Sequence, residues 1–184
     1  RDACAGSASR LPQDALARWT PRWREDAFAD AAERARLAGA TLLVPGDPHW
    51  PVMLDDLGPH APVCLWVRGD SSVFVRQPHV AVVGARAATA YGEHVAGELA
   101  AALCASGVVI VSGGAYGIDA AAHRGALAGG GPTVAFLAGG VDRFYPAGNV
   151  ELLRAVVDSG GSVVSEVPPG SVPSRVRFLL RNRL

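Results

Sequence analysis

Lysine is missing altogether. All seventeen basic residues are arginine, and seventeen acidic residues balance them, so the formal net charge is zero. The gap excludes lysine general-base and Schiff-base chemistry, and also a Walker A phosphate loop, which needs a lysine. Global charge points to neither a polyanionic nor a polycationic partner, so any such partner must be read from local charge. No stretch approaches the roughly 18 apolar residues of a membrane helix; the apolar runs, such as Val108 to Val111, are short and bounded by glycine or polar residues. No secretory leader is visible, and the chain opens on Arg1 without an initiator methionine, which reads as a trimmed start. Cysteine is sparse: Cys4, Cys64 and Cys104 are odd in number and widely spaced, which fits neither a disulfide framework nor a CxxC metal site. Cys64 and Cys104 sit in apolar contexts and are expected in the core, in a reducing cytoplasm. What is present is a 184-residue chain that is 49% hydrophobic, enough for one domain or one domain with a small appendage.

Two textures divide it. Residues 1–78 hold all four tryptophans (Trp19, Trp23, Trp50, Trp66) and much of the charge, and read as a small helical and mixed module. Its expected elements are a helix over 25–38 closed by Gly39, a strand from Thr41 to Val44, a turn at Pro45-Gly46-Asp47-Pro48, a short helix or turn from Trp50 to Leu57, and a strand from Val63 to Val67. Arg76, Gln77 and Pro78 interrupt the apolar pattern and mark the boundary. Residues 79–184 alternate strand and helix: strands at Val80–Val83, Val108–Val111, Thr133–Leu137 and Ser162–Ser165, helices at Tyr91–Ala105, Asp119–Leu127 and Val150–Asp158, with Asp119 and Asn149 as expected N-caps. The run Val80–Val83 predicts a strand buried on both faces. The pattern argues for an α/β, doubly wound, mainly parallel Rossmann-like sheet, cut short after Leu184, with its strand ends on one ligand-binding edge.

Chemistry gathers in the loops after the first three strands. Gly84-Ala85-Arg86 through Gly92 follows the first, Ser112-Gly113-Gly114-Ala115-Tyr116-Gly117-Ile118-Asp119 the second, and Gly139 to Asn149 the third. Glycine lets backbone approach an anion, and each following helix offers free amides and a positive dipole end. Tight turns alone would also need these glycines. Two such loops on one edge, with Arg86 as a planar cationic fork, favour anion binding. Gly113-Gly114-x-x-Gly117 lacks the dinucleotide GxGxxG spacing. Asp119 and His123 share a helix face, but no third metal ligand accompanies them, and an N-cap with a histidine bonded near the same helix start is the simpler reading. Ser112 lacks the GxSxG elbow of a hydrolase. Phe144 or Tyr145 could offer a stacking face to a base. From Ser171 to Leu184 come Arg175, Arg177, Arg181 and Arg183 with no acidic residue, and Phe178-Leu179-Leu180 among them suggests a docked segment rather than a fraying tail.

Gly84-Ala85-Arg86-x-x-Thr89-x-Tyr91-Gly92, Ser112-Gly113-Gly114-Ala115-x-Gly117-Ile118-Asp119-x-x-x-His123, Gly140-Val141-Asp142-x-x-Tyr145-Pro146-x-x-Asn149, and Ser165-Glu166-x-Pro168 with Phe178-x-x-Arg181-Asn182-Arg183 together resemble the DNA processing protein A family, also called Smf. Asp47-Pro48-x-Trp50-Pro51 and Leu65-x-x-Arg68-Gly69 resemble its lead-in. The likeness covers roughly residues 40–184. It implies an extended Rossmann fold, no enzymatic activity and no cofactor or metal. It also implies single-stranded DNA binding, a homodimer, and delivery of the strand to the RecA recombinase during natural transformation. By this resemblance the DNA site comprises Gly84, Ala85, Arg86, Thr89, Gly113, Gly114, Tyr116, Gly117, Phe144, Asn149, Arg181, Asn182 and Arg183. Three positions depart from the family pattern: Ala85 replaces a serine, Leu179 a proline, and Ala147 stands where a basic residue is common. A competing enzyme reading, a nucleoside-monophosphate phosphoribohydrolase of the lysine-decarboxylase-like type, needs a PGGxGTxxE motif that the sequence does not contain. A purely structural piece with an incomplete ligand site is the third reading.

Overall fold

The computed structural model describes residues 24–76 and 78–184; Cys4, Trp19, Trp23 and Gln77 lie outside the described residues. Helix α1 (Ala27–Leu37) is alanine-rich, buries Ala31 and Ala35, and carries an exposed Glu33–Arg36 pair at 2.8 Å. Strand β1 (Ala40–Leu43) leads through a turn, where Asp47 accepts from the Val44 amide, into a 3-10 segment (Val52–His60). Next come β2 (Leu65–Gly69), a 3-10 turn (Ser71–Val75) capped by Asp70, and β3 (His79–Ala81). Three strand–helix repeats follow: α2 (Ala90–Ala105), β4 (Val109–Ser112), α3 (Ile118–Ala128), β5 (Thr133–Phe136), α4 (Val150–Asp158) and β6 (Ser162–Ser165). Helix α5 (Arg175–Arg181) ends the described fold. Among the described residues no helix is long and apolar enough to cross a membrane.

The six strands form one sheet in the order β1-β2-β6-β5-β4-β3. β3, β4, β5 and β6 are parallel, while β2 joins β6 antiparallel (Trp66 opposite Ser165) and β1 joins β2 antiparallel. Strands of both textures therefore share one Rossmann-like α/β sheet. Alternation along each strand sends side chains to opposite faces. Ile110, Ala135, Val163 and Trp66 pack under α1 to α4, whereas Val109, Val134, Phe136, Val164 and Leu65 pack against the 3-10 segments and Leu184. Leu153 and Val156 of α4 are fully buried, worth about 1.5–3 kcal/mol each against exposure. Helices α2 and α3 meet backbone to backbone: a Cβ on Gly125 would overlap the Gly97 carbonyl.

β3 departs from expectation. It is the outermost strand of the described sheet, so one side has no neighbour. Val80 and Val82 face α2, but Ala81 and Val83 are exposed beside the cleft described below. Cys104 is buried as expected, whereas Cys64 is only half-buried; burial, with Glu166 nearby, pushes its thiol pKa up. The segment from Ser171 is docked: Arg181 and Arg183 bond to the body of the fold, and Leu184 packs against the core.

Candidate nucleic-acid interface

At the carboxyl edge of β3, β4 and β5, the loops and the end of α5 enclose a cleft of about 580 Å³. Its walls include Gly84, Arg86, Gly113, Asp119, Arg181 and Asn182. The first two loops are welded together. Ala85 accepts from the Ile118 amide at 3.2 Å. Gly117 has φ 72°, and a side chain there would strike the Ala85 and Arg86 carbonyls. A Cβ on Gly84 would come within 2.7 Å of Ile118. Thr89 caps α2, its hydroxyl accepting from the Gly92 amide at 3.1 Å. The cap of α3 is Gly117, not Asp119 as the sequence suggested. Asp119 lies in the first turn, buried, and accepts from the Ala115 amide at 3.3 Å.

The third loop is tied to the second. Asn149 stands at the N-cap of α4 but gives that helix no side-chain bond; its amide donates to the Gly114 and Ala115 carbonyls, each at 3.0 Å. The Tyr116 hydroxyl accepts from the Gly148 amide at 3.3 Å. Gly114 (φ 69°) lies close against Leu137 and Leu153. Ser112 is buried and donates to the Val82 carbonyl at 2.6 Å, a structural role.

Arg86 is exposed, with its guanidinium carbon 4.6 Å from the centre of the Phe178 ring and no carboxylate or hydrogen-bond partner. It borders both the cleft and a smaller hollow of about 90 Å³ walled by Tyr116, Tyr145 and Phe178. Phe178 and Tyr145 lie 6.1 Å apart, centre to centre. Arg181 crosses directly over Gly113, where any side chain would collide with it, and donates to the Phe136 carbonyl at 2.7 Å. Its Nε is buried without a partner. Burial lowers its pKa, Asp119 opposes that shift and Arg86 adds to it, yet a guanidinium stays charged at neutral pH. The result is a cationic hollow in which, among the described residues, Asp119 is the one acidic side chain on the wall.

The expected site residues do not all converge. Gly84, Arg86, Gly113, Tyr116, Arg181 and Asn182 do, whereas Ala85, Thr89, Gly114, Gly117 and Asn149 line neither hollow. Arg183 borders the cleft, but its donors go to Glu166 (2.5 Å), the His60 carbonyl (2.8 Å) and the Leu180 carbonyl (2.6 Å), so it acts as a clasp. Phe144 faces away, under the Arg68 guanidinium at 4.7 Å. Of the two aromatics left open by the sequence, Tyr145 is the one on the cleft side. Phe178 was missed as a site residue; its signal was the Phe178-x-x-Arg181 spacing, which places both on one helix face. His123 is fully buried and bonds Thr133 across to β5 at 2.8 Å, rather than anything near its own helix start. No cluster of three or more His, Cys, Asp or Glu able to hold a metal occurs among the described residues.

A family model described as DNA recombination-mediator protein A matches residues 41–184. The chain is 48% identical over 181 residues to a DNA processing protein DprA of Mycobacterium tuberculosis, covering 92% of this chain and 46% of that protein. It is 40% identical over 124 residues to DNA processing protein DprA of Streptococcus pneumoniae, covering 67% of this chain and 43% of that one. The chain thus spans about half the length of the relatives it matches. Its fold superposes on the X-ray structure of the S. pneumoniae protein with a TM-score of 0.76 at 30% identity, over 98% of this chain and 60% of that one. It also superposes on DNA processing protein A from Helicobacter pylori, whose single-stranded DNA binding mode that structure addresses, with a TM-score of 0.68 at 29% identity, over 78% and 63%. With its carboxyl-edge glycine loops, its Arg86 and its Arg181-Asn182-Arg183 run, the chain belongs to the DNA recombination-mediator protein A family.

Proposed function

We propose that this chain binds single-stranded DNA without sequence preference along the carboxyl edge of its sheet. The observation that carries the reading is Arg86: an exposed guanidinium, free of any carboxylate, laid on an aromatic ring between two hollows lined by glycine backbone. Arg86, Arg181 and the amides of the Gly113 loop hold phosphate, while Tyr145, Phe178 and Tyr116 give bases a flat surface. Backbone contacts and stacking recognise no particular base, which is what sequence tolerance requires. Gly84, Ala85, Thr89, Gly114, Gly117, Asn149 and Arg183 serve by fixing the loops. The role is binding rather than catalysis, and it needs no cofactor. In the whole protein, a cytoplasmic homodimer, the strand so held is passed to RecA recombinase; the family's description as a recombination mediator supports this step.

Fluorescence anisotropy with labelled oligo-dT tests it. Affinity should fall with salt at a log–log slope of about 0.7 per phosphate neutralised. Arg86→Ala should weaken binding by about ten- to a hundred-fold for every sequence tried, the worth of one charge-assisted contact of about 1.5–3 kcal/mol. Salt-insensitive binding, or an Arg86→Ala protein that binds as tightly, would refute the reading.

A further inference from the structure

Six arginines among the described residues face a carboxylate within 4.0 Å. In a chain of zero net charge, an arginine with no such partner is therefore informative. Among the described residues Arg34, Arg68, Arg86, Arg143 and Arg175 have neither an ion pair nor a side-chain hydrogen bond, and three of these five, Arg68, Arg86 and Arg143, lie around one dipeptide, Phe144-Tyr145. The two rings turn to opposite sides. Tyr145 meets Phe178, on which Arg86 rests. Phe144 lies under Arg68, which β2 sends to the helical face of the sheet beside Trp66. Asp142, the carboxylate of this loop, makes no ion pair with any of the three; its Oδ1 accepts the Gly170 amide at 2.8 Å. Arg143 is exposed next to it.

Resting on the cleft reading above, we infer that Arg68, Phe144 and Arg143 form a second subsite for the same unpaired strand. It takes nucleotides that have passed over the ridge of Phe144-Tyr145 after leaving the Arg86 cleft. A guanidinium stacked on an aromatic ring presents a flat cationic plate, on which a base stacks and beside which a phosphate is neutralised. Two such plates back to back on consecutive residues bend the strand around the loop instead of leading it straight off the sheet edge. Phe144 then serves DNA from beneath the Arg68 guanidinium, outside the cleft.

The test compares oligo-dT of about six and about twenty nucleotides, lengths that fill one subsite or both. Arg68→Gln and Arg143→Gln should each leave the short strand's affinity unchanged. For the long strand, Arg68→Gln should cost about ten-fold, from lost stacking, and Arg143→Gln should lower the salt slope by about 0.7. Arg143 is exposed and unpartnered, so its variant folds even if Arg68→Gln disturbs the packing of Phe144. Long-strand affinity and slope unchanged in the Arg143 variant, with Arg86→Ala still weakening both lengths, overturn the second subsite and leave the cleft reading intact. Arg86→Ala without effect overturns the cleft reading, and the second subsite falls with it.

Discussion

Acidification should destabilise this fold through one histidine. His123 is fully buried between α3 and β5, and its Nδ1 lies 2.8 Å from the Thr133 hydroxyl. That hydroxyl gives its only proton to the Ile110 carbonyl at 2.7 Å, so Nδ1 must carry the ring proton and donate it. Nε2 is left bare, buried and without a partner. Charging the ring would place a proton on Nε2 with nothing to accept it, and burial accordingly pushes the pKa down to about 4. The unfolded chain titrates near 6.5. A depressed histidine pKa means the unfolded state binds the proton first as pH falls. Nothing is lost above pH ~6.5; stability then drops by about 1.4 kcal/mol per pH unit and levels off below about pH 4, for a total near 3 kcal/mol.

The measurement is urea denaturation of the wild-type chain and His123→Gln at pH 7.5 and pH 5.0. Glutamine can still donate to Thr133 but does not titrate. The wild type should lose about 2 kcal/mol more than the variant between these pH values, since the interval covers roughly 1.5 units below 6.5. The subtraction removes carboxylates common to both proteins. Equal losses, or an NMR titration of the His123 ring with a midpoint near 6.5, would refute the argument from the unpartnered Nε2.

Two substitutions probe how the cleft is held. Gly113→Ala puts a methyl group on the Arg181 guanidinium and 2.6 Å from the Asp119 carboxylate; it should cost about 1–3 kcal/mol in urea denaturation and weaken oligo-dT binding at least as much as Arg86→Ala. Glu166→Gln leaves Arg183 without its carboxylate, both partners being about three-quarters buried; thermal denaturation should show a loss of about 1–2 kcal/mol, with DNA affinity reduced less than by Arg86→Ala.

The sequence made local elements plain and long-range partners obscure. Val150–Asp158 and Ser162–Ser165 fall where the apolar spacing put them, because both depend on period and on flanking glycine and asparagine. The edge position of β3 depends on strand order, which no window along the chain contains. Likewise the Trp66–Ser165 pairing, which draws β1 and β2 into the sheet, joins segments remote in sequence. Asp119 has the residue preference of a cap, yet Gly117 takes the place: φ 72° and the Ala85 carbonyl leave no room there for a side chain. Helix spacing relates His123 to Asp119 but says nothing of Thr133 on the next strand.

The glycines show most clearly what a sequence signal means at such a site. Read along the chain, they announce that something must come close to the backbone, and a phosphate is the natural candidate. In the fold, part of what comes close is the protein itself: the Ile118 side chain at Gly84, two carbonyls at Gly117, and the Arg181 guanidinium at Gly113. These contacts draw the first two loops and α5 together, and Asn149 and Tyr116 tie in the third. The cationic hollow they surround exists because Gly113 allows Arg181 across it and because Phe178 holds Arg86 at its rim. The glycine pattern therefore locates the site by way of loop convergence, and the unpaired guanidinium supplies the reason an anion would enter it.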